Sequence, residues 1–102
     1  MLFRSLMALF DADRTKIASL GRAASSAFRV HEHLQRSPLV SAPATARDLG
    51  LSLPTVLKSF EHLQDLKIVK ESTGKKRRRM FGYPSYIAIL DEGTEPLSFN
   101  RP

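Results

Sequence analysis

The chain has 102 residues, the size of one ordinary domain, and its 42% hydrophobic and 25% charged content is that of a globular protein rather than a disordered one. It contains no cysteine, which excludes a disulfide framework, a thiolate metal site and a cysteine nucleophile, and no apolar run approaches the ~20 residues of a membrane helix. Sixteen Lys and Arg against ten Asp and Glu give a net charge of +6, which favours a polyanionic partner, nucleic acid ahead of an anionic membrane surface.

Residues 1–36 are predicted to be helical. Apolar residues recur there at three- and four-residue spacing, which is the spacing of one helix face. Asp11 and Asp13 suit the start of a new helix, so the pattern fits either one long kinked helix or two abutting helices. Ser37-Pro38 ends the helical region, because a residue that precedes proline avoids the helical conformation.

The next part of the chain has the spacing of a helix-turn-helix. A short extended segment at Leu39–Ser41 precedes a compact helix over Pro43–Leu49, and Gly50 ends that helix by permitting a sharp turn. Ser52 is a good N-cap for a second helix, which is predicted to run to about Leu66. Two short helices joined by three or four residues that include glycine are typical of this motif.

The last third of the chain predicts a hairpin and a closing helix. Segments with strand character at Ile68–Glu71 and Met80–Tyr83 flank a turn and a basic run, which indicates a wing after the helix-turn-helix. Pro84–Leu90 is predicted to be a final short helix.

The expected fold is therefore α+β and mostly helical: a winged helix-turn-helix with a long N-terminal helix and a two-stranded basic wing. Residues 1–16 are expected to form an N-terminal helical extension, residues 17–91 the winged helix-turn-helix domain, and residues 92–102 a C-terminal tail.

The positive charge is concentrated in the predicted wing. Its five consecutive cations are Lys75, Lys76, Arg77, Arg78 and Arg79. Removing these five from the sixteen basic residues leaves eleven against ten acidic ones, so the net charge falls from +6 to +1. A basic run standing alone is usually a solvated loop, but a position beside the second helix of the motif favours contact with a phosphate backbone.

The second helix of the motif is the candidate recognition helix. Its residues predicted to face outward and to meet phosphates or base edges are Thr55, Lys58, Ser59 and His62. Leu53 and Leu57 are also predicted to point outward, and they favour packing or a protein interface over contact with thymine methyl groups. No arginine on this helix is available to read guanine, so strong sequence specificity is not expected.

The apolar stripe at the start of the chain is a second candidate protein interface. Phe3, Met7 and Phe10 exceed what a winged helix needs, whereas residues 17–34 are expected to be core. The first ten residues would cap the domain, pair with another copy of the chain or pack on a neighbouring domain. Their low charge argues against a membrane-surface role.

No catalytic constellation is evident in the sequence. His31 and His33 point in different directions on a helix and cannot coordinate one metal ion, and His62 has no second ligand at helical spacing. The histidines are therefore expected to be surface or half-buried residues. Neither a Gly-x-Ser-x-Gly elbow nor a glycine-rich phosphate loop is present. We therefore expect no enzyme activity, metal, cofactor or small-molecule substrate, and a cytoplasmic location.

Four segments resemble the C-terminal winged helix of Fic-family proteins. They are residues 20–30, 48–56, 73–78 and 86–97, and the closing Glu-Gly-Thr-Glu-Pro-Leu at 92–97 is the most specific of them. The resemblance covers roughly residues 5 to 98. Lys67 stands where the family usually has a glycine, and Gly82 stands where a β-branched residue is usual.

The resemblance implies an accessory domain rather than an enzyme. Fic proteins transfer AMP from ATP to hydroxyl side chains of target proteins, through a loop that reads His-Pro-Phe-x-x-Gly-Asn-Gly-x-x-Arg. Nothing in this chain matches that loop, so no catalytic or ATP-binding residue carries over. The chain is similar to a C-terminal piece of such a protein.

Two functions follow as hypotheses. The first is a non-enzymatic module that binds double-stranded DNA, as a bacterial-type transcription regulator does. The alternative is a protein-interaction or regulatory domain, or a truncated fragment, of a Fic-family AMP transferase, with the Fic catalytic domain or a second copy as its partner. RNA binding by the basic wing is a third option, and no membrane partner is expected.

Overall fold

A computed structural model describes residues 2–72 and 80–98, with side chains described for 3–72 and 80–91. Within these residues the fold is α+β and mostly helical, which confirms the predicted class. The helices are α1 (Leu2–Ala18), α2 (Ala24–Arg36), α3 (Ala42–Leu49), α4 (Leu53–Asp65) and α5 (Pro84–Ser98). The strands are β1 (Leu39–Ser41), β2 (Lys70–Glu71) and β3 (Met80–Gly82).

The predicted N-terminal helical region is two helices rather than one kinked helix. α1 ends at Ala18, and a 3₁₀ turn over Gly21–Ala23 leads into α2. Gly21 has φ +69°, a left-handed conformation that glycine adopts without the strain a β-carbon would bring. The glycine inside the apolar stripe therefore marks the break between the two helices.

The sheet has three antiparallel strands in the order β1-β3-β2, so the prediction of a two-stranded sheet is wrong. The short segment that was expected only to be extended pairs with the last strand, Val40 opposite Phe81. β2 also begins later than predicted, at Lys70. Lys67 has φ +66° at the end of α4, and the amide of Ile68 donates to the carbonyl of Leu63 at 2.9 Å, so this stretch ends the helix instead of starting the strand.

The core lies where the helices and the sheet meet. Phe60 of α4 stacks on Phe81 of β3 with ring centroids 4.1 Å apart, which joins the second helix of the motif to the sheet. Phe10 of α1 is buried as well, and its ring packs edge-on against His31 and Tyr86. The prediction that Phe10 is an interface residue is therefore wrong, because α1 completes the core of the domain.

α5 is longer than predicted. The helical backbone continues through residues 92–98, which were expected to be a tail. α5 packs alongside α1.

Candidate nucleic-acid interface

α3 and α4 are joined by a tight turn that local hydrogen bonds define. Ser41 caps α3, accepting from the amide of Ala44 at 3.2 Å, and Ser52 caps α4, accepting from the amide of Thr55 at 3.3 Å. Between the helices, Gly50 has φ +67° and ends α3 in the left-handed conformation. Ser52 and Gly50 are the cap and turn residues from which the sequence predicted a helix-turn-helix, whereas the cap at Ser41 was not predicted.

The outermost face of α4 carries little net charge. Its exposed residues are Leu53, Pro54, Lys58, Glu61 and Asp65. The Lys58 ammonium lies 3.7 Å from a carboxylate oxygen of Glu61. This face therefore offers a candidate nucleic-acid contact one cation, which is already paired, and two acids.

The four polar residues predicted to face outward on α4 lie along one side of it, and Lys58 is the one of them that is exposed. Thr55, Lys58, Ser59 and His62 line a groove of about 380 Å³, whose opposite wall is Ala23 and Ser26 at the start of α2. Ser59 is only 2% exposed, so the prediction that it lies on the open surface is wrong. The prediction failed because the beginning of α2 covers the side of α4 on which Ser59 lies.

The apolar residues predicted to point outward divide in the same way. Leu53 is 41% exposed, as expected, whereas Leu57 is half-buried and packs against the core, which agrees with the packing interpretation and leaves less of its side chain outward than predicted. Phe3 and Met7, one turn apart on α1, are 74% and 41% exposed. Among the described side chains, the large hydrophobic ones that are exposed therefore lie at the start of α1, at the first residue of α4 and at Leu39 of β1.

The basic run, Lys75–Arg79, lies outside the described residues. The nearest described residues before and after it are Ser72 and Met80, and the amide of Ser72 donates to the carbonyl of Met80 at 2.9 Å. Met80 also lines a groove of about 590 Å³ together with His33 and Arg47, and Arg47 is exposed. β3, the strand that follows the basic run in the sequence, therefore begins at a groove that α3 also lines.

A buried polar chain is the feature that sequence reasoning missed. The Tyr83 hydroxyl donates to Asp13 Oδ2 at 2.5 Å and accepts from His31 Nε2 at 2.9 Å, and Gln35 Nε2 donates to His31 Nδ1 at 3.1 Å. This direction of donation requires a neutral imidazole with its proton on Nε2. His31 is 1% exposed, so the prediction of a surface or half-buried histidine is wrong at this position.

Burial shifts the titration of both rings in this chain. It lowers the pKa of the His31 imidazole below its ordinary value, and the negative charge of Asp13 opposes that shift only in part. Burial also raises the pKa of the Tyr83 hydroxyl, and both the hydrogen bond and the charge of Asp13 add to the effect. Both groups are therefore held neutral at physiological pH. In the sequence, the burial of His31 is indicated only by its position on the apolar stripe of α2.

No helix in the described part of the chain is long and apolar enough to cross a membrane. No protein-family model, curated protein or solved structure matches the chain. The functional argument therefore depends on the geometry and charge of the chain itself.

Proposed function

We propose that this chain is a DNA-binding module of the winged helix-turn-helix class that acts as a transcription regulator. It has no catalytic role of its own. The order of elements from α2 to β3 supports this class: helix, strand, two helices joined by a tight turn, and two strands joined by a basic connection. The observation that carries the proposal is the run of five cations in that connection, which accounts for five of the six units of net charge.

The proposed binding is dominated by the phosphate backbone. Phe60 stacks on Phe81, which fastens α4 to β3, the strand that follows the basic run in the sequence. The outer face of α4, with Lys58 paired to Glu61, provides few groups for reading bases. Contacts to phosphates give affinity without sequence information, so the module is expected to bind duplex DNA with low sequence specificity.

The salt dependence of DNA affinity tests this proposal. Fluorescence anisotropy of a labelled duplex, measured at several NaCl concentrations, should give a slope of log affinity against log salt of about −4 if four or five phosphates are neutralised. Replacing Arg77, Arg78 and Arg79 together by glutamine should make the slope shallower by about 3.

A matched variant controls for net charge. Arg4, Arg22 and Arg36 are exposed on α1, the 3₁₀ turn and α2, so replacing these three by glutamine removes the same charge away from the basic run. This control should keep the slope of the unchanged protein. Equal slopes for the two triple variants, or weak binding that salt does not alter, would overturn the DNA proposal.

The exposed apolar residues favour one alternative function. Phe3 and Met7 on α1 together with Leu53 on α4 would serve a protein-interaction domain, and the resemblance to Fic proteins makes a Fic catalytic domain the partner to test. Sedimentation of a mixture with such a domain should then show a complex that Phe3→Ser weakens. A complex combined with salt-independent DNA binding would select this function over the first.

A further inference from the structure

The groove between the start of α2 and α4 is lined by hydrogen-bond donors on both walls. Ser26 contributes a hydroxyl from α2, and α4 contributes two hydroxyls, the Lys58 ammonium and the His62 imidazole. Among the described residues that line it there is no carboxylate. Hydroxyls and a cation without a competing acid are the set of groups that binds an oxyanion.

Ser59 lies at the inner wall of this groove with an unsatisfied hydroxyl. Its side chain is almost fully buried, and its Oγ makes no hydrogen bond to another described residue. Thr45, the buried hydroxyl residue of α3, behaves differently, because it donates to the carbonyl of Ser41 at 2.8 Å. Buried polar groups nearly always have a partner, so the Ser59 hydroxyl indicates a ligand group that the groove accepts.

Two neighbouring residues of the same groove also carry donors. Thr55 Oγ1 accepts from the Ser52 hydroxyl at 2.8 Å, which leaves the Thr55 proton available for a bound group. Lys58 lies one turn further along the helix, and its Glu61 contact of 3.7 Å is a loose, exposed ion pair of the kind that exchanges readily for a stronger anion. The groove volume of about 380 Å³ is ample for a tetrahedral oxyanion.

We propose that this groove is a phosphate site, in which Ser59, Thr55 and Lys58 hold the oxygens of one phosphate group and Ser26 and His62 complete the wall. The phosphate belongs either to a DNA backbone or to a small phosphorylated molecule. The DNA source rests on the proposed function, whereas the site itself does not. With DNA, α4 would be anchored at its side rather than by its acidic outer face.

Binding of inorganic phosphate to the whole chain tests the site. In ¹H–¹⁵N NMR spectra, titration with phosphate at constant ionic strength should move the amide signals of Ser26, Thr55 and Ser59 saturably, and chloride should not. Lys58→Gln should weaken phosphate binding at least about tenfold, whereas Lys67→Gln, which removes an exposed cation beyond the end of α4, should leave it unchanged. Shifts that chloride reproduces, or equal effects of the two variants, would overturn the site.

Ser59→Ala separates a ligand group from a residue that is merely small. Alanine keeps the close packing of α2 on α4 and removes only the hydroxyl, so the midpoint of thermal unfolding should stay the same or rise. Phosphate affinity should fall about tenfold. Unchanged phosphate affinity in a stable Ser59→Ala protein would contradict the proposal and leave Ser59 as a packing residue.

The same variants identify the source of the phosphate. If the site holds a DNA phosphate, Lys58→Gln should make the salt slope of duplex binding shallower by about 1, and inorganic phosphate should compete with the duplex. If inorganic phosphate binds and the slope is unchanged, the source is a small phosphorylated molecule. If duplex binding depends on Arg77–Arg79 but not on Lys58, and inorganic phosphate does not bind, the phosphate site is refuted and the proposed function stands. If inorganic phosphate binds and the duplex does not, the site stands and the proposed function is refuted.

Discussion

Two polar regions of this molecule differ in how their hydrogen bonds are satisfied. The buried polar chain links the side chains of Asp13, Tyr83 and His31, and each of them has a hydrogen-bond partner at 2.5 to 2.9 Å. The groove beside α4 contains a buried serine with no partner among the described residues, next to an exposed lysine. The first arrangement contributes to the fold, whereas the second leaves capacity for a ligand. Substitutions in the first should therefore change stability, and substitutions in the second should change binding.

The largest expected effect is in the buried chain. Tyr83→Phe removes the hydroxyl that donates to Asp13 and accepts from His31, so it leaves a buried carboxylate and a buried imidazole N–H without that partner. The free energy of unfolding should fall by about 3 kcal/mol, measured by urea denaturation. Tyr86→Phe is the control: its half-buried hydroxyl donates to the backbone carbonyl of Gln35 at 2.9 Å, and its loss should cost about 1 kcal/mol. If the two variants lost the same free energy of unfolding, the buried polar chain would stabilise the protein no more than the single hydrogen bond of Tyr86 does.

Acid should destabilise the protein through His31. Because burial lowers the pKa of His31 in the folded state, the unfolded chain takes up a proton near pH 6.5 that the folded chain takes up only at lower pH. Stability is thus fully present above pH 6.5 and is lost as the pH falls, at no more than about 1.4 kcal/mol per pH unit for this one group.

The difference between the unchanged protein and His31→Gln isolates this effect, because every other titratable group is present in both. Urea denaturation between pH 8 and pH 5 (a window set around the ordinary histidine value of about 6.5) should show a steeper loss for the unchanged protein. Parallel curves would mean that His31 is not held neutral by the fold.

The caps of α4 should have an intermediate effect. Ser52→Ala removes the side chain that accepts from the amide of Thr55, and the free energy of unfolding should fall by about 1 kcal/mol. Ser59→Ala, on the same helix, should cost nothing, because its hydroxyl has no partner among the described residues. Chemical denaturation measures the free energy of unfolding of both variants. An equal decrease for Ser59→Ala and Ser52→Ala would contradict the prediction that the Ser59 hydroxyl adds nothing to stability.

The smallest expected effect is at the exposed leucine of α4. Leu53→Ala should change the free energy of unfolding by no more than about 0.5 kcal/mol, because much of the side chain is already in water. Leu57→Ala should cost about 1 to 2 kcal/mol, because that side chain packs against the core. Thermal unfolding of both variants checks the order, and a reversed order would restore the outward placement of Leu57.

The elements that the sequence predicted well depend on local signals. Ser52 is the N-cap of α4, and Gly50 takes the left-handed conformation that its position between two helices suggested. The end of α4 shows where such signals are incomplete: Lys67 adopts φ +66° without being glycine, so the strand character expected at Ile68 does not begin there. A helix wheel also could not place Ser59, because which side of α4 is covered depends on where α2 begins.

The sequence by itself determined the class of fold, the helix pair with its turn, and the concentration of charge in Lys75–Arg79, because periodicity, capping and charge are properties of neighbouring residues. Only the tertiary structure decided that Phe10 and His31 are core, that Leu39–Ser41 is a third strand, and that Ser59 borders a groove. Tyr83 meets Asp13 across 70 residues of sequence and His31 across 52. Contacts of such separation form only when the helices pack, so no local pattern encodes them.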